Sequence, residues 1–212
     1  MKSTLTNMVL VLFCITLVAS AGVGGIYQIT KEPIERANAA AITEALGQVL
    51  PEFDQTTEQQ LSIDNMPIVA YTATKSGAVV GYAIKSMTKK GFGGAITMMV
   101  GFDTTGAVIN VNVLSQAETP GLGTKMAEPD NVLLRSVQGK NPSQMNLSVT
   151  KDGGDVDALT AATISSRAYV DAIARAFNAY QQVANVDNQV DIVTGATEPE
   201  SEVVAQEGGE NE

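Results

Sequence analysis

The run from Ser3 to Thr30 contains no charged residue, and within it Met8–Tyr27 (MVLVLFCITLVASAGVGGIY) is strongly apolar. A helix of this length spans about 30 Å, the thickness of a bilayer's hydrocarbon core. The run reads as one transmembrane helix, with Lys2 before it and Lys31 and Arg36 after it. The competing reading is a cleaved leader ending near Ala19-Ser20-Ala21. Apolar character continuing to Ile29, and a single Lys before the run, favour an uncleaved anchor. Bulky Phe13 before Cys14 argues against lipidation at that cysteine, which reads as an apolar helix residue. The flanking basic residues are too few to set orientation.

The organisation follows from that start: an anchor over 1–30, a folded domain over 31–186 and an acidic tail over 187–212. The 212-residue chain has a net charge of −10, but the tail holds eight acids and no base. The rest holds 15 acids against 13 bases and is near neutral. The tail's composition reads as disordered. No basic patch is dense enough to predict nucleic-acid binding.

Within the domain, residues 31–50 read as a helix with Pro33 in its first turn and Pro51 at its end. Residues 52–65 are polar and read as a loop. Four strand-like runs follow as two hairpins, Ile68–Thr74 with Val79–Met87 and Ala95–Phe102 with Val108–Leu114. Asp130–Val137 reads as a short helix and Met145–Val149 as a short strand. Ser165–Val183 is the best helix after the anchor, with Tyr169, Ile173, Ala176, Phe177 and Tyr180 on one face. The fold class is α+β, a single N-terminal transmembrane helix followed by an antiparallel sheet with packed helices.

There is no histidine and one cysteine. That excludes Ser-His-Asp and Cys-His nucleophile systems, His-ligated haem, internal disulfides and Cys-ligated iron–sulfur clusters. Redox chemistry, if present, belongs to an organic cofactor. Three segments are candidates to hold one. Asp157–Ser166 (DALTAATISS) leads into the best helix. Its hydroxyls are the residue types of ordinary helix caps, but a helix N-terminus also favours a phosphate, and a hydroxyl there could be joined to one. Glu118–Gly123 (ETPGLG) carries a type II turn at Pro120-Gly121 and a lone acid, and also reads as a plain surface loop. Gly91–Gly94 (GFGG) links two strands and lacks the dinucleotide-binding pattern.

Together with Gly81–Met87 (GYAIKSM) and Lys125, in this order behind one apolar helix, these segments resemble the FMN-binding subunits of bacterial respiratory ion pumps. Those pumps are the Rnf electron-transport complexes and the sodium-pumping NADH:quinone reductases. The family pattern is D-x-x-[S/T]-[G/A]-A-T-x-[S/T], in which a flavin transferase links FMN through its phosphate to the Thr hydroxyl. Here Asp157 matches the acid, Thr160 the first hydroxyl, Ala161 the small residue (commonly Gly), Ala162 the Ala, Thr163 the acceptor and Ser165 the last hydroxyl. Many members carry a His where this chain has Gln116.

The resemblance implies FMN bound covalently at Thr163, with Thr160, Ala162, Ser165, Ser166 and Asp157 about the phosphate. It implies that Glu118, Thr119, Gly121, Leu122 and Gly123, with Gly93 and Gly94, border the isoalloxazine. Lys125 is a candidate for a further charge partner. The implied role is an electron carrier with no independent substrate turnover, relaying electrons between ferredoxin and NAD redox subunits coupled to Na⁺ or H⁺ transport. The implied partners are multi-pass membrane and iron–sulfur subunits of the complex, the flavin transferase and the lipid bilayer. The implied location is the bacterial inner membrane, with the domain on the periplasmic side. Two alternatives stay open: an anchored flavin carrier of another complex, such as the sodium-pumping reductase, and an anchored scaffold without flavin. Thr194-Gly195-Ala196-Thr197 also resembles the acceptor pattern, with Asp191 upstream. It lacks the final hydroxyl and a following helix, and its acidic surroundings oppose a phosphate, so Thr197 is at most a minor second acceptor.

Overall fold

The computed structural model describes residues 5–184. The predicted tail and the second acceptor-like sequence at 194–197 lie outside the described residues. By internal packing the chain divides into two units, Met1–Glu44 and Ala45–Glu212.

The first unit is helical throughout its described length. Helix α1 runs from Leu5 to Val49, and its last turn belongs to the second unit. It is long and apolar enough to cross a membrane. Leu10, Leu12, Phe13, Ile15, Leu17 and Ile26 are all more than half exposed. A helix from the core of a soluble protein would bury such residues. Pro33 does not open a new helix, as the sequence suggests, but lies inside α1. Proline removes its own N–H from the helical ladder and crowds the carbonyl one turn before it, but the helix continues on both sides. On the polar stretch, Lys31 faces Glu35 and Arg36 faces Glu32 at helical i,i+4 spacing.

The second unit is a five-stranded antiparallel meander covered by a helix. The strands are β1 (Gln55–Ile63), β2 (Met66–Lys75), β3 (Ala78–Thr88), β4 (Ile96–Phe102) and β5 (Val108–Ser115), and they lie in sequence order across the sheet. The polar segment expected to be a loop is therefore mostly strand. β1 pairs with β2 along its whole length, from Gln55↔Thr74 to Ile63↔Met66. It is an edge strand whose residues are exposed from Gln55 through Gln60, so it has no apolar alternation for the sequence to display. The turn does leave a trace. Asp64 and Asn65 have φ of 49° and 60°, the two left-handed positions of a two-residue hairpin turn.

Helix α3 (Thr163–Val183) packs across the sheet, and aromatic packing fixes its C-terminal half. The Phe177 ring lies 5.8 Å from Phe102 and 5.7 Å from Tyr180, whose ring meets Tyr82 edge-on at 5.2 Å. More of α3 is buried than the one face its periodicity predicts. Ala168, Ala172, Ala179, Asp171 and Arg175 are buried as well. The short helix α2 (Val132–Val137) and the loops around it add Met126, Leu133, Val137, Leu147, Val149 and Val156 to the same core. On the other side of the sheet, a Cβ at Gly101 would stand 1.9 Å from the Val49 carbonyl oxygen. The absent side chain lets the end of α1 lie against β4.

The short strand expected at Met145–Val149 is not part of the sheet. Its backbone pairs locally instead, Asp155 N–H to Asn146 O at 2.9 Å and Val156 N–H to Ser148 O at 3.0 Å, with one isolated parallel bridge between Val149 and Val156. Leu147 and Val149 are apolar because they enter the core, not because they alternate along a strand.

Candidate functional site

A single buried carboxylate joins the three segments singled out from sequence. Glu118 is 4% exposed. Its Oε1 accepts the Gly93 N–H at 3.0 Å, and its Oε2 accepts the Ser165 hydroxyl. Gln116, at the position of the family's His, accepts the Glu118 N–H through its own Oε1 at 2.6 Å. The loops meet so closely that side chains are excluded. A Cβ on Gly93 would lie 1.8 Å from the Ala117 carbonyl oxygen, and one on Gly123 would lie 2.6 Å from Ser165 Oγ. Glu118 is thus not a solvated surface acid. Both of its oxygens are committed inside the protein.

Removing that link leaves the part-buried Gly93 N–H and the buried Ser165 hydroxyl without their acceptor. Glu118→Ala should cost about 2–3 kcal/mol of stability. Glu118→Gln, whose amide can still accept from Gly93 and donate to Ser165 Oγ, should cost much less. Urea denaturation of the three proteins checks the order, and equal losses in both variants would exclude the bridging role.

Above Glu118 lies a cleft of about 370 Å³ lined by Phe92, Thr119, Leu122, Gly123 and Ala161–Ser165. Phe92, Leu122 and Ile164 leave apolar surface exposed at its walls, 62%, 38% and 45% of each residue. Such walls suit a flat apolar ring system. The Thr119–Leu122 turn has the hydrogen bond of a type II turn, Leu122 N–H to Thr119 O at 3.1 Å, with Gly121 at φ 74°.

Thr163 opens α3 at the floor of this cleft. The residue before it, Ala162, occupies the cap position and supplies no side-chain hydrogen bond. The hydroxyls of the segment are therefore not caps of the first turn's N–H groups. Ser166 is buried and holds the approach instead, its Oγ accepting the Leu159 N–H and donating to the Ala162 carbonyl. The first turn keeps N–H donors and a positive dipole end for an anion. Ala161, where the family commonly has Gly, adopts φ 58°. A left-handed alanine costs about 1–2 kcal/mol, partly offset because alanine restricts the unfolded chain. Ala161→Gly should therefore raise stability by up to about 1 kcal/mol, read as an upward shift of the thermal midpoint. A lowered midpoint would refute the strain.

Among the described residues, a lysine reaches the Thr163 hydroxyl. Lys151 Nζ donates to Thr163 Oγ1 at 2.9 Å. Lys151 stands on the one-turn helix Thr150–Asp152, which Arg167 grips through a two-pronged pair to Asp152, 2.7 Å on each arm. That guanidinium, followed by burial acting the other way, leaves the Asp152 carboxyl below its usual range.

The structure brings Thr119, Leu122, Gly123, Ala162, Thr163 and Ser165 to one cleft, with Gly93 tied to it through Glu118. Gly94, at φ 123°, completes the turn beside Gly93, and Gly121 stands in the turn on the other side. Thr160 and Lys125 are exposed and do not line the cleft. Asp157 lines a neighbouring cleft with Arg135, Lys140 and Lys151. Sequence reasoning did not single out Lys151, and it passed over the Phe92 and Ile164 side chains inside segments it did single out. The signals for them were weak: a lysine before Asp-Gly-Gly, an aromatic among glycines and an apolar residue among the hydroxyls of Asp157–Ser166.

A deeper network supports the Gly91–Gly94 loop. Asp171, fully buried on α3, accepts from Thr88 Oγ1 at 2.7 Å, Lys90 Nζ at 3.1 Å and Arg175 Nε at 3.0 Å. Arg175 reaches on to Asp64 at 2.7 Å. Thr88 and Lys90 sit just before the loop, so one carboxylate fixes the end of β3 to α3. Burial pushes the Asp171 carboxyl up, but the hydrogen bonds from Thr88, Arg175 and Lys90 outweigh it and hold the group below its usual range.

An open antiparallel sheet, a covering helix and an anion-receptive helix start beside an apolar cleft define a domain built to hold a phosphorylated planar ligand. A family model for the FMN-binding domain matches residues 91–178, the span that contains every lining residue of the cleft. The G subunit of the ion-translocating oxidoreductase complex of Vibrio vulnificus (strain YJ016) is 37% identical over 159 residues, 68% of this chain and 74% of that protein. Its counterpart in Shewanella piezotolerans is 31% identical over 198 residues, 86% and 93% of the two chains. The counterpart in Aliivibrio fischeri is 34% identical over 194 residues, 83% and 90%. The chain belongs to the family of G subunits of ion-translocating oxidoreductase complexes.

Proposed function

We propose that this chain is the FMN-carrying subunit of an ion-translocating oxidoreductase of the Rnf type, with FMN joined through its phosphate to Thr163. The observation that carries the reading is the setting of Thr163: its hydroxyl opens a helix with no side-chain cap, beside an apolar cleft, with a lysine ammonium 2.9 Å away. When bound, the flavin supplies one- and two-electron redox chemistry. The protein's own residues bind and orient. Helix N–H groups and Lys151 hold negative charge at the acceptor. Phe92, Leu122 and Ile164 exclude water from the ring system, and Glu118 keeps the two flanking loops in register.

A covalent link suits an electron carrier working where free FMN is scarce. Helix α1 would anchor the domain as a single span of the bacterial inner membrane, with the domain on the periplasmic side. There it would relay electrons among the redox subunits of a complex linking ferredoxin and NAD to Na⁺ or H⁺ transport. Its partners would be the multi-pass and iron–sulfur subunits, the flavin transferase during maturation and the bilayer. The organisation proposed is an anchor over 1–30, the flavin domain over 31–186 and a tail over 187–212.

The test is intact-mass measurement of protein produced with the flavin transferase, followed by a peptide map. A gain of one FMN less water on the peptide bearing Thr163 is expected. An unmodified, colourless protein overturns the cofactor reading, and a label on Thr197 overturns the acceptor.

A further inference from the structure

We propose that Lys151 is the charge partner of the phosphate carried by Thr163 and a positioning residue for its attachment; this rests on Thr163 being the flavin acceptor. Three features of the structure converge on it. The ammonium donates to Thr163 Oγ1 itself, the atom that would become the bridging ester oxygen. Among the described residues, Lys151 forms no close ion pair with a carboxylate, although its charge helps to hold the Asp152 carboxyl low from a distance. The nearest carboxylate in sequence, Asp152, is held by both arms of Arg167.

The turn is built to present this lysine. Gly153, at φ 81°, closes the one-turn helix in the left-handed region. Gly154 lets the chain double back, since a Cβ there would lie 2.0 Å from the Ser148 carbonyl oxygen. Arg167 lies one helical turn beyond Thr163 on α3, so its pair with Asp152 ties the lysine-bearing turn to the helix that carries the acceptor.

In the attachment step, Thr163 Oγ forms a bond to the flavin-side phosphorus of a flavin dinucleotide donor. The phosphoanhydride P–O bond breaks, and the hydroxyl proton is lost to the leaving nucleotide phosphate or the transferase. No electrons are exchanged with an outside oxidant or reductant. Charge on the transferring phosphoryl oxygens develops beside the ammonium. As Lys151 donates to Oγ1, the hydroxyl's own proton is free to leave. The linked phosphodiester then carries one negative charge, which Lys151 and the first turn of α3 meet together.

The test compares Lys151→Gln and Lys151→Arg with the unaltered full chain, using purified transferase and a flavin dinucleotide donor. Initial attachment rates are read by intact mass, and the linked phosphate by phosphorus NMR. Lys151→Gln should slow attachment about tenfold or more, the worth of one charge-assisted hydrogen bond. It should also shift the phosphorus resonance, with the thermal midpoint of the unloaded protein unchanged. Lys151→Arg should restore most of the rate and the resonance. A Gln variant loaded at the normal rate with an unshifted resonance overturns the proposal. So does a slow Gln variant that Arg fails to rescue. Thr163→Ala, run alongside, separates the two readings. If it still gains the flavin mass, the acceptor assignment fails. If it gains none while Lys151→Gln behaves as the unaltered chain, this inference fails alone.

Discussion

Protein carrying Thr163→Ala is expected to leave the flavin transferase reaction at its unmodified mass and to show no fluorescent band in a denaturing gel. The loss should be complete, because an ester needs an oxygen and no neighbour can replace it. Thr160 is exposed outside the cleft, Ser165 is spent on Glu118, and Ser166 is spent on Leu159 and Ala162. The domain should remain folded. Thr163 is half-buried, and its hydroxyl accepts only from an exposed lysine, a bond worth about 1 kcal/mol or less. Thr163→Ser should keep the label, since serine preserves the oxygen. Covalent flavin on the Ala variant would sink the assignment, and the position of the label in a peptide map would name the true acceptor.

The largest effect on stability is expected at Asp171. Truncating it to Ala leaves the buried Arg175 guanidinium with Asp64 alone and frees Thr88 and Lys90 together. Breaking a buried pair from one side costs about 3–5 kcal/mol. For a domain of this size that is a fall of roughly 10–15 °C in thermal midpoint. The pH dependence has a definite sign. The folded carboxyl lies below its unfolded value of about 3.9, so the stabilisation is fully present above that pH and is lost as pH falls through the folded value. The gap between the two proteins should therefore be constant near neutrality and narrow only in strong acid. A gap that opens between about pH 5 and 7 would contradict the depressed carboxyl. Because Thr88 and Lys90 lead into Gly91–Gly94, Asp171→Ala should also loosen that wall of the cleft. Faster hydrogen exchange at Gly93 would report it.

Much of the fold was legible along the chain. The apolar run, both hairpins from β2 to β5 and helix α3 each write their period into the sequence, since each buries a regular set of side chains. β1 did not, because an edge strand with exposed side chains is held by backbone pairing to β2, which leaves no pattern in side-chain polarity. Met145–Val149 misled in the opposite way, because core-facing residues in a loop resemble a short buried strand. The continuity of α1 through Pro33 was hidden too, since proline reads locally as a start or a stop.

The site divides along the same line. Residue types and spacing single out Thr163, the Gly-rich loop and the Pro-Gly turn, because an acceptor hydroxyl and tight turns need particular residues at fixed local offsets. The uncharged run likewise sets the N-terminal helix apart, because length and apolarity are local properties. Tertiary structure alone decided that Glu118 is an internal link between Gly93 and Ser165, that Asp171 anchors the end of β3, and that Lys151 donates to the Thr163 hydroxyl. These partners are separated by 25, 47, 83 and 12 residues along the chain. No local periodicity encodes such pairings. They exist only once the meander and α3 have closed around a common core and brought charge, hydroxyl and backbone within hydrogen-bonding distance.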